Sequence, residues 1–371
     1  MNKLLLVTVK VFLFLVTVTC KGPEKKEIAK NDLVKNSNNP DQEYYLQFVE
    51  QYGKEFGLQI NKTESIAQYV RRIFKDNEDN FWFGTNSLGV VQYDGDSLKY
   101  FSTKKGLSGN QVTGIIEDQK GNIWISTNGG VSKYDGTRFI NYTIKNGQNT
   151  ERIWTIFQDS RGIIWVGTAN GVFNHDPEKE NQFSRFTLSN AGINNPKIRI
   201  STIIEDKNGS LWFGTDGEGV IKYTPSDKMG DQFKKFSAKD GLCDNYVMSI
   251  LQDKKGRIWF GSRYGGISQL TDSKFINFSH TNGDIGDDEV CVVFEDKTGN
   301  IWFSSEGFGV YRFDGQTLKN FGVSEGLKIR AVQTIYEDEN GLLWIGGGDG
   351  LYFFDGTHFA RVTRDGPWEK C

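Results

Sequence analysis

The sequence predicts an all-β chain, a seven-bladed β-propeller of four-stranded antiparallel blades over residues 65–363. Three observations lead there. One motif recurs seven times, as NEDNFWFGT, QKGNIWIST, SRGIIWVGT, KNGSLWFGT, KKGRIWFGS, KTGNIWFSS and ENGLLWIGG, centred on Trp82, Trp124, Trp165, Trp212, Trp259, Trp302 and Trp344. By subtraction the tryptophans are 42, 41, 47, 47, 43 and 42 residues apart, the period of a propeller blade. Within a copy the apolar pattern has period two, and the chain is rich in glycine (43) and aromatics but poor in proline (6). That combination belongs to short strands joined by tight turns.

The segment Gln111–Thr143 serves for all. Val112–Glu117 reads as a first strand, Asp118–Gly121 as a turn and Ile123–Thr127 as a second strand. Asn128–Gly130 turns again, Val131–Tyr134 is a third strand, Asp135-Gly136 a tight hairpin and Phe139–Thr143 a fourth strand. Asp-Gly between two such runs is a strong hairpin signal. An aspartate stands six positions before each tryptophan: Asp76, Asp118, Asp159, Asp206, Asp253, Asp296 and Asp338. Its carboxylate is suited to accept backbone N–H groups in the turn that follows. A glycine three before the tryptophan supplies positive φ. Blade one has Asp79 there, a residue type that tolerates the left-handed region. The tryptophan itself is expected to fill the space between neighbouring sheets. Identical use in every blade marks the constellation as architecture, not catalysis.

The first twenty residues, MNKLLLVTVKVFLFLVTVTC, have an early lysine, an apolar run and Cys20, the pattern of an export signal. They resemble a bacterial lipoprotein signal, which implies lipidation of Cys20, with an ordinary cleaved secretory signal or an uncleaved anchor as the alternatives. Residues 21–41 are polar and charged and read as a flexible tether. Residues 42–64 carry Tyr45, Phe48, Val49, Tyr52 and Phe56 at helical spacing and read as a short helix or an extra strand packing on the propeller; 364–371 form a tail. The expected location is exported and membrane-anchored, with Lys21 favouring the outer membrane and a periplasmic or surface-facing domain.

The repeats resemble the two-component regulator propeller family over about residues 65 to 363. GLSGNQVTGIIEDQKGNIWIST and GLCDNYVMSILQDKKGRIWFGS carry the likeness, including Gly106-Leu107 and Gly241-Leu242. The resemblance implies a periplasmic ligand sensor of the kind that Bacteroidota couple to hybrid histidine kinases answering to polysaccharide fragments. Here the chain stops at Cys371, which is read as a stand-alone lipoprotein form without kinase.

A formal net charge of −3 with no basic stripe argues against nucleic acid as a partner. Three histidines, no Ser-His-Asp order and no phosphate loop leave little for catalysis, and no cofactor or metal is called for. The alternative function is a propeller-scaffold lyase or hydrolase; virginiamycin B lyases resemble this fold class but need a site histidine. His280 opens the loop HTNGDIGDDE, where Asp284, Asp287 and Asp288 lack the spacing of a calcium loop. Cys243 and Cys291 are read either as a disulfide or as two thiols.

A ligand site needs residues that differ around the ring. The uniform Asp-x-x-Gly face is therefore set aside, and the opposite face becomes the candidate. There the turns between second and third strands carry Asp216, Glu218, Arg263, Tyr264, Glu306 and Phe308. The entries to the first strands carry Arg71, Glu151, Arg152, Trp154, Arg199, Asn245, Tyr246, Glu289 and Arg330. The candidate ligand-binding set is Trp154, Arg199, Asp216, Arg263, Tyr264, Glu306, Phe308 and Arg330. An aromatic ring beside charges of both signs fits a carbohydrate or other small polar ligand, or a protein partner.

Overall fold

The computed structural model describes residues 65–146, 149–177, 182–188, 193, 197–226 and 230–364. The signal, tether and helix-or-strand readings for residues 1–64, and the tail beyond 364, lie outside the described residues. Seven four-stranded antiparallel sheets follow one another, each with its strands in chain order. Blade two is representative, with Val112–Glu117, Ile123–Thr127, Gly130–Tyr134 and Phe139–Tyr142. Each strand lies within one residue of its expected bounds. The other blades open with Val70–Lys75, Ile153–Gln158, Ile200–Glu205, Val247–Gln252, Val293–Glu295 and Val332–Glu337. These first strands touch their counterparts in the adjacent blades around a closed ring, blade seven against blade one included, so they wall the central channel.

Each repeat tryptophan is buried, between 0% and 4% exposed. It packs on an aromatic ring of its own sheet, as Trp82 does on Phe101 and Trp259 on Phe278, and against the next sheet. Trp82 lies with Val112, Ile115, Ile123 and Ile125 of blade two; Trp259 lies with Val290, Val293, Ile301 and Phe303 of blade six; Trp344 closes the ring on Val70, Ile73 and Phe83 of blade one. Seven inter-blade cores thus replace one central core.

The aspartate of the motif does more than cap a turn. One carboxylate oxygen accepts the backbone N–H groups two and four residues on, as Asp118 Oδ1 does from Lys120 and Asn122 at 2.9 Å each. The other accepts the buried indole N–H of the tryptophan in all seven blades, at 2.7 to 3.0 Å. The six-residue spacing therefore exists to satisfy a polar atom inside an apolar core, where leaving it unpaired costs about 1–3 kcal/mol. Burial alone pushes the Asp118, Asp206, Asp253 and Asp296 carboxyls up, but the indole and the further hydrogen bonds outweigh it and hold them below the usual range. Asp79, in the glycine position of blade one, has φ of 68°.

The ring closes where the two ends of the propeller meet. Ser65 forms a bridge with Thr363, and Ile66 and Ala67 are buried beside Leu351 and Val362. On the Asp-x-x-Gly face Lys75 of blade one pairs with Glu339 of blade seven at 2.7 Å. Blade seven still builds its four strands from its own stretch of chain. Among the described residues no helix is long and apolar enough to cross a membrane.

Candidate functional site

One hydrogen bond recurs in every blade and defines the variable face. The N–H of the residue that follows the second strand donates to the carbonyl just before, or at the start of, the first strand. The pairs are Asn86 to Tyr69, Asn128 to Gln111, Ala169 to Arg152, Asp216 to Arg199, Arg263 to Tyr246, Glu306 to Glu289 and Gly348 to Ala331, at 2.9 to 3.2 Å. Both loop types expected at the channel mouth are therefore stitched together by the same backbone bond in every blade. The side chains at these fourteen positions are free to differ, and they do.

The candidate residues form four local groups. In the first, Arg199 Nε lies 3.1 Å from Asp216 Oδ2, both half-buried, without the N–H alignment of a hydrogen bond. The guanidinium carbons of Arg152 and Arg199 lie 4.5 and 4.6 Å from the Trp154 ring centroid. Trp154 is thus not a bare stacking platform but a ring engaged by two cations. Its indole N–H and Asp216 Oδ1 are buried without a partner. In the second group Arg263 lies over the Tyr264 ring at 5.5 Å, and Tyr264 meets Tyr246 edge-on at 5.3 Å. Tyr264 is 62% exposed, an uncommon setting for a large ring.

The third group is acidic. Burial, then the neighbouring Glu289 and Asp287 carboxylates, push Glu306 above the usual range. Phe308 is exposed beside it, its ring laid over Gly286 so closely that a Cβ there would sit 2.3 Å from it. The fourth is Arg330, exposed and held by Asp349 at 3.0 Å. Glu151, at the same mouth, is instead buried beneath Asn170, whose amide donates to both its oxygens.

Other candidate chemistry is accounted for by structure. Asp284, Asp287 and Asp288 accept backbone N–H groups of Ser279, Glu289 and His280, and no group of three metal-ligating side chains occurs among the described residues. Cys243 and Cys291 are both free thiols. His175 is buried among Trp124, Tyr142 and Phe183, and His358 follows the last Asp-Gly turn.

The channel wall holds residues that the sequence reading passed over. Behind the mouth, the second and third positions of the first strands are Arg71-Arg72, Thr113-Gly114, Trp154-Thr155, Ser201-Thr202, Met248-Ser249 and Gln333-Thr334, and in blade six, whose first strand begins only at Val293, the aligned pair is Cys291-Val292. Only blade one places charge there. The signal was present as the difference between aligned repeats, but Arg72 stood outside the loops being compared.

A closed ring of seven sheets with a uniform face and a chemically uneven mouth defines a β-propeller that presents its differences at one end of the channel. Five of its repeats match the model of the two component regulator propeller family, at residues 106–129, 147–170, 192–217, 241–264 and 326–349, in blades two, three, four, five and seven. No curated protein matches the chain in sequence. Among solved structures, the extracellular domain of a hybrid two component system of B. thetaiotaomicron is similar at 20% identity and a TM-score of 0.59, covering 80% of this chain and 46% of its own. PorZ, a surface component of the type-IX secretion system of Porphyromonas gingivalis, is similar at 18% identity and a TM-score of 0.60, covering 81% and 48%. This chain spans about half the length of each. A streptogramin B lyase is similar at 15% identity and a TM-score of 0.59, covering 77% and 92%. Identities this low carry the fold alone.

Proposed function

We propose that this chain is an extracytoplasmic binding propeller of a sensing system, lipid-anchored through Cys20, that captures a small polar ligand at the mouth of its variable face. A glycan fragment is the favoured class. One observation carries the reading: the backbone ladder of the mouth is the same in all seven blades, yet its side chains include the Trp154–Arg199–Asp216 unit and the Arg263–Tyr264 unit. Asparagine or glycine satisfies the same ladder in blades one, two and seven, so charge and aromatic rings at the other positions are not demanded by the turn. Planar guanidinium groups and carboxylates give directional contacts to hydroxyl-bearing ligands, and a half-exposed ring excludes water from them. The sensing context rests on the repeat family.

Thermal unfolding across a panel of oligosaccharides tests this. At least one member is expected to raise the midpoint saturably, by mass action on the folded state. A panel with no saturable shift removes the glycan reading. The anchor is tested separately. Cys20→Ser is expected to move the protein from the membrane to the soluble fraction and to abolish labelling with radioactive palmitate. Unchanged fractionation and labelling would remove the anchor.

A further inference from the structure

The mouth residues are not the only unevenness in the ring. Arg71 and Arg72 sit side by side on the first strand of blade one, at wall positions where the other six blades carry no charge. Neither guanidinium has a carboxylate within ion-pair distance among the described residues; the ion pairs formed there involve other cations. Arg71 donates from Nη1 to Asn86 Oδ1 at 3.3 Å, and its Nε is buried without a partner. Arg72 reaches along the wall towards blade seven, donating from Nη1 to the Arg71 carbonyl at 2.7 Å and to the Gln333 carbonyl at 3.5 Å.

The charges that register on the pair are few. Arg152 adds a third positive charge near Arg71, while the Tyr69 hydroxyl and the Cys291 thiol are the acidic groups in range. Both are neutral at pH 7: burial raises the Tyr69 hydroxyl, and burial with Glu289 and Glu306 pushes Cys291 up to about 12. Burial, and then the charge of Arg71, lowers Arg72 to about 10. A chain of polar contacts ties the three arginines together, for Arg152 Nη2 donates to Gln111 Oε1 at 3.0 Å and Gln111 Nε2 donates to Asn86 Oδ1 at 2.8 Å. Buried charge without a counter-ion is costly, and no turn or core contact of the blade calls for it here.

We propose that the channel behind the mouth is an oxyanion site, in which Arg71 and Arg72 take the carboxylate or sulfate group of an acidic saccharide. This rests on the binding reading above and names the ligand's charge. Guanidinium groups suit such groups because their planar forks match two oxygens at once. The saccharide ring then extends outward past Arg152 and Trp154 to the mouth.

Calorimetric titration with glucuronate, glucose 6-sulfate, inorganic sulfate, glucose and any neutral oligosaccharide active in the thermal panel tests it, on the wild type and on Arg71→Gln, Arg72→Gln, Arg263→Gln and Trp154→Ala. An acidic sugar is expected to bind at least tenfold more tightly than glucose. Either channel substitution is expected to weaken it tenfold or more. Arg72→Lys, which keeps the charge but not the fork, is expected to fall between. Glucuronate against glucose 6-sulfate identifies the anion, and inorganic sulfate alone shows how much of the affinity the anion supplies. Without ligand, Arg72→Gln is expected to unfold no earlier than the wild type, since it relieves an unpaired buried charge; a purely structural arginine would lower the midpoint. Equal binding of acidic and neutral sugars, or acid binding indifferent to Arg71 and Arg72, overturns the proposal. If a neutral oligosaccharide binds through Trp154 and Arg263 while Arg71 and Arg72 are indifferent, the mouth reading survives and the oxyanion site does not. If acid binding needs Arg71 and Arg72 but not Trp154 or Arg263, the reverse holds.

Discussion

Trp259→Ala is expected to destabilise the propeller by about 3–5 kcal/mol, the range for removing a fully buried tryptophan. Its side chain is 0% exposed and fills the seam between blades five and six, against Val290, Ile301 and Phe303, with Phe313 edge-on at 5.9 Å. The seam has little means of collapsing, because each sheet is held on its far side by another such core. Gly261 shows how close the sheets already are: a Cβ there would lie 2.6 Å from Ser249 Oγ and 2.8 Å from Val290. A cavity therefore remains, and its cost adds to the lost transfer energy. Truncation also orphans part of Asp253, which accepts from the Trp259 indole at 2.9 Å and from Arg257. Trp259→Phe, which keeps most of the volume and loses the N–H, is expected to cost only about 1–2 kcal/mol. Urea unfolding monitored by circular dichroism measures both. A loss under about 1 kcal/mol for the alanine variant would mean that the inter-blade cores are not where stability resides.

The same carboxylate gives the seam a pH dependence with a definite sign. Burial tends to raise Asp253, but Trp259, Arg257 and a backbone N–H prevail and lower it. A carboxyl with a folded-state pKa below its unfolded value of about 3.9 stabilises fully above that value. That contribution is lost as pH falls through the folded value. With Asp118, Asp206 and Asp296 shifted the same way, acid below about pH 4 is expected to weaken several seams together.

How much was legible in the sequence follows from this arrangement. Blade two could be read almost residue by residue because period-two patterning and Asp-Gly turns are local signals. Blade number followed from Trp82 to Trp344, since every interface repeats one solution. The indole–carboxylate bond was not read, though its spacing was in view, because a turn-capping role already explained each aspartate. Trp154 lies outside the repeat position in the sequence, but its two guanidinium partners come from separate loops, Arg152 beside it and Arg199 in the next blade. Contacts of that kind depend on the angle between blades, which no single repeat encodes. Arg72 escaped, though its neighbour Arg71 was picked out, for a related reason: a β-bulge between Val70 and Arg72 shifts the register, so strict alternation does not assign both side chains to the channel.

Trp154→Ala and Arg263→Ala are each expected to weaken binding of an active oligosaccharide by roughly 10- to 100-fold, about 1.4–2.8 kcal/mol, while leaving the propeller folded. Trp154 is only half-buried, and its removal frees Arg152 and Arg199 from the ring that now fixes them. The two guanidinium groups, left with Gln111 and Asp216 as their remaining partners, must then be ordered further by the ligand, at up to about 0.5–1.5 kcal/mol for each side chain immobilised. Arg263 is held by its own neighbour, Tyr264, and its backbone N–H, not its side chain, makes the conserved-geometry bond to Tyr246. Alanine there keeps the ladder and removes only the side-chain charge from the mouth. The contrasting control is Lys254→Ala on the Asp-x-x-Gly face, where Lys254 Nζ donates to the Asp296 and Lys297 carbonyls of the next blade at 3.0 Å each. That change is expected to cost some stability and no affinity. The opposite pattern, with binding lost on the Asp-x-x-Gly face and kept in both mouth variants, would place the functional surface on the other side of the ring, because the two faces share no loop.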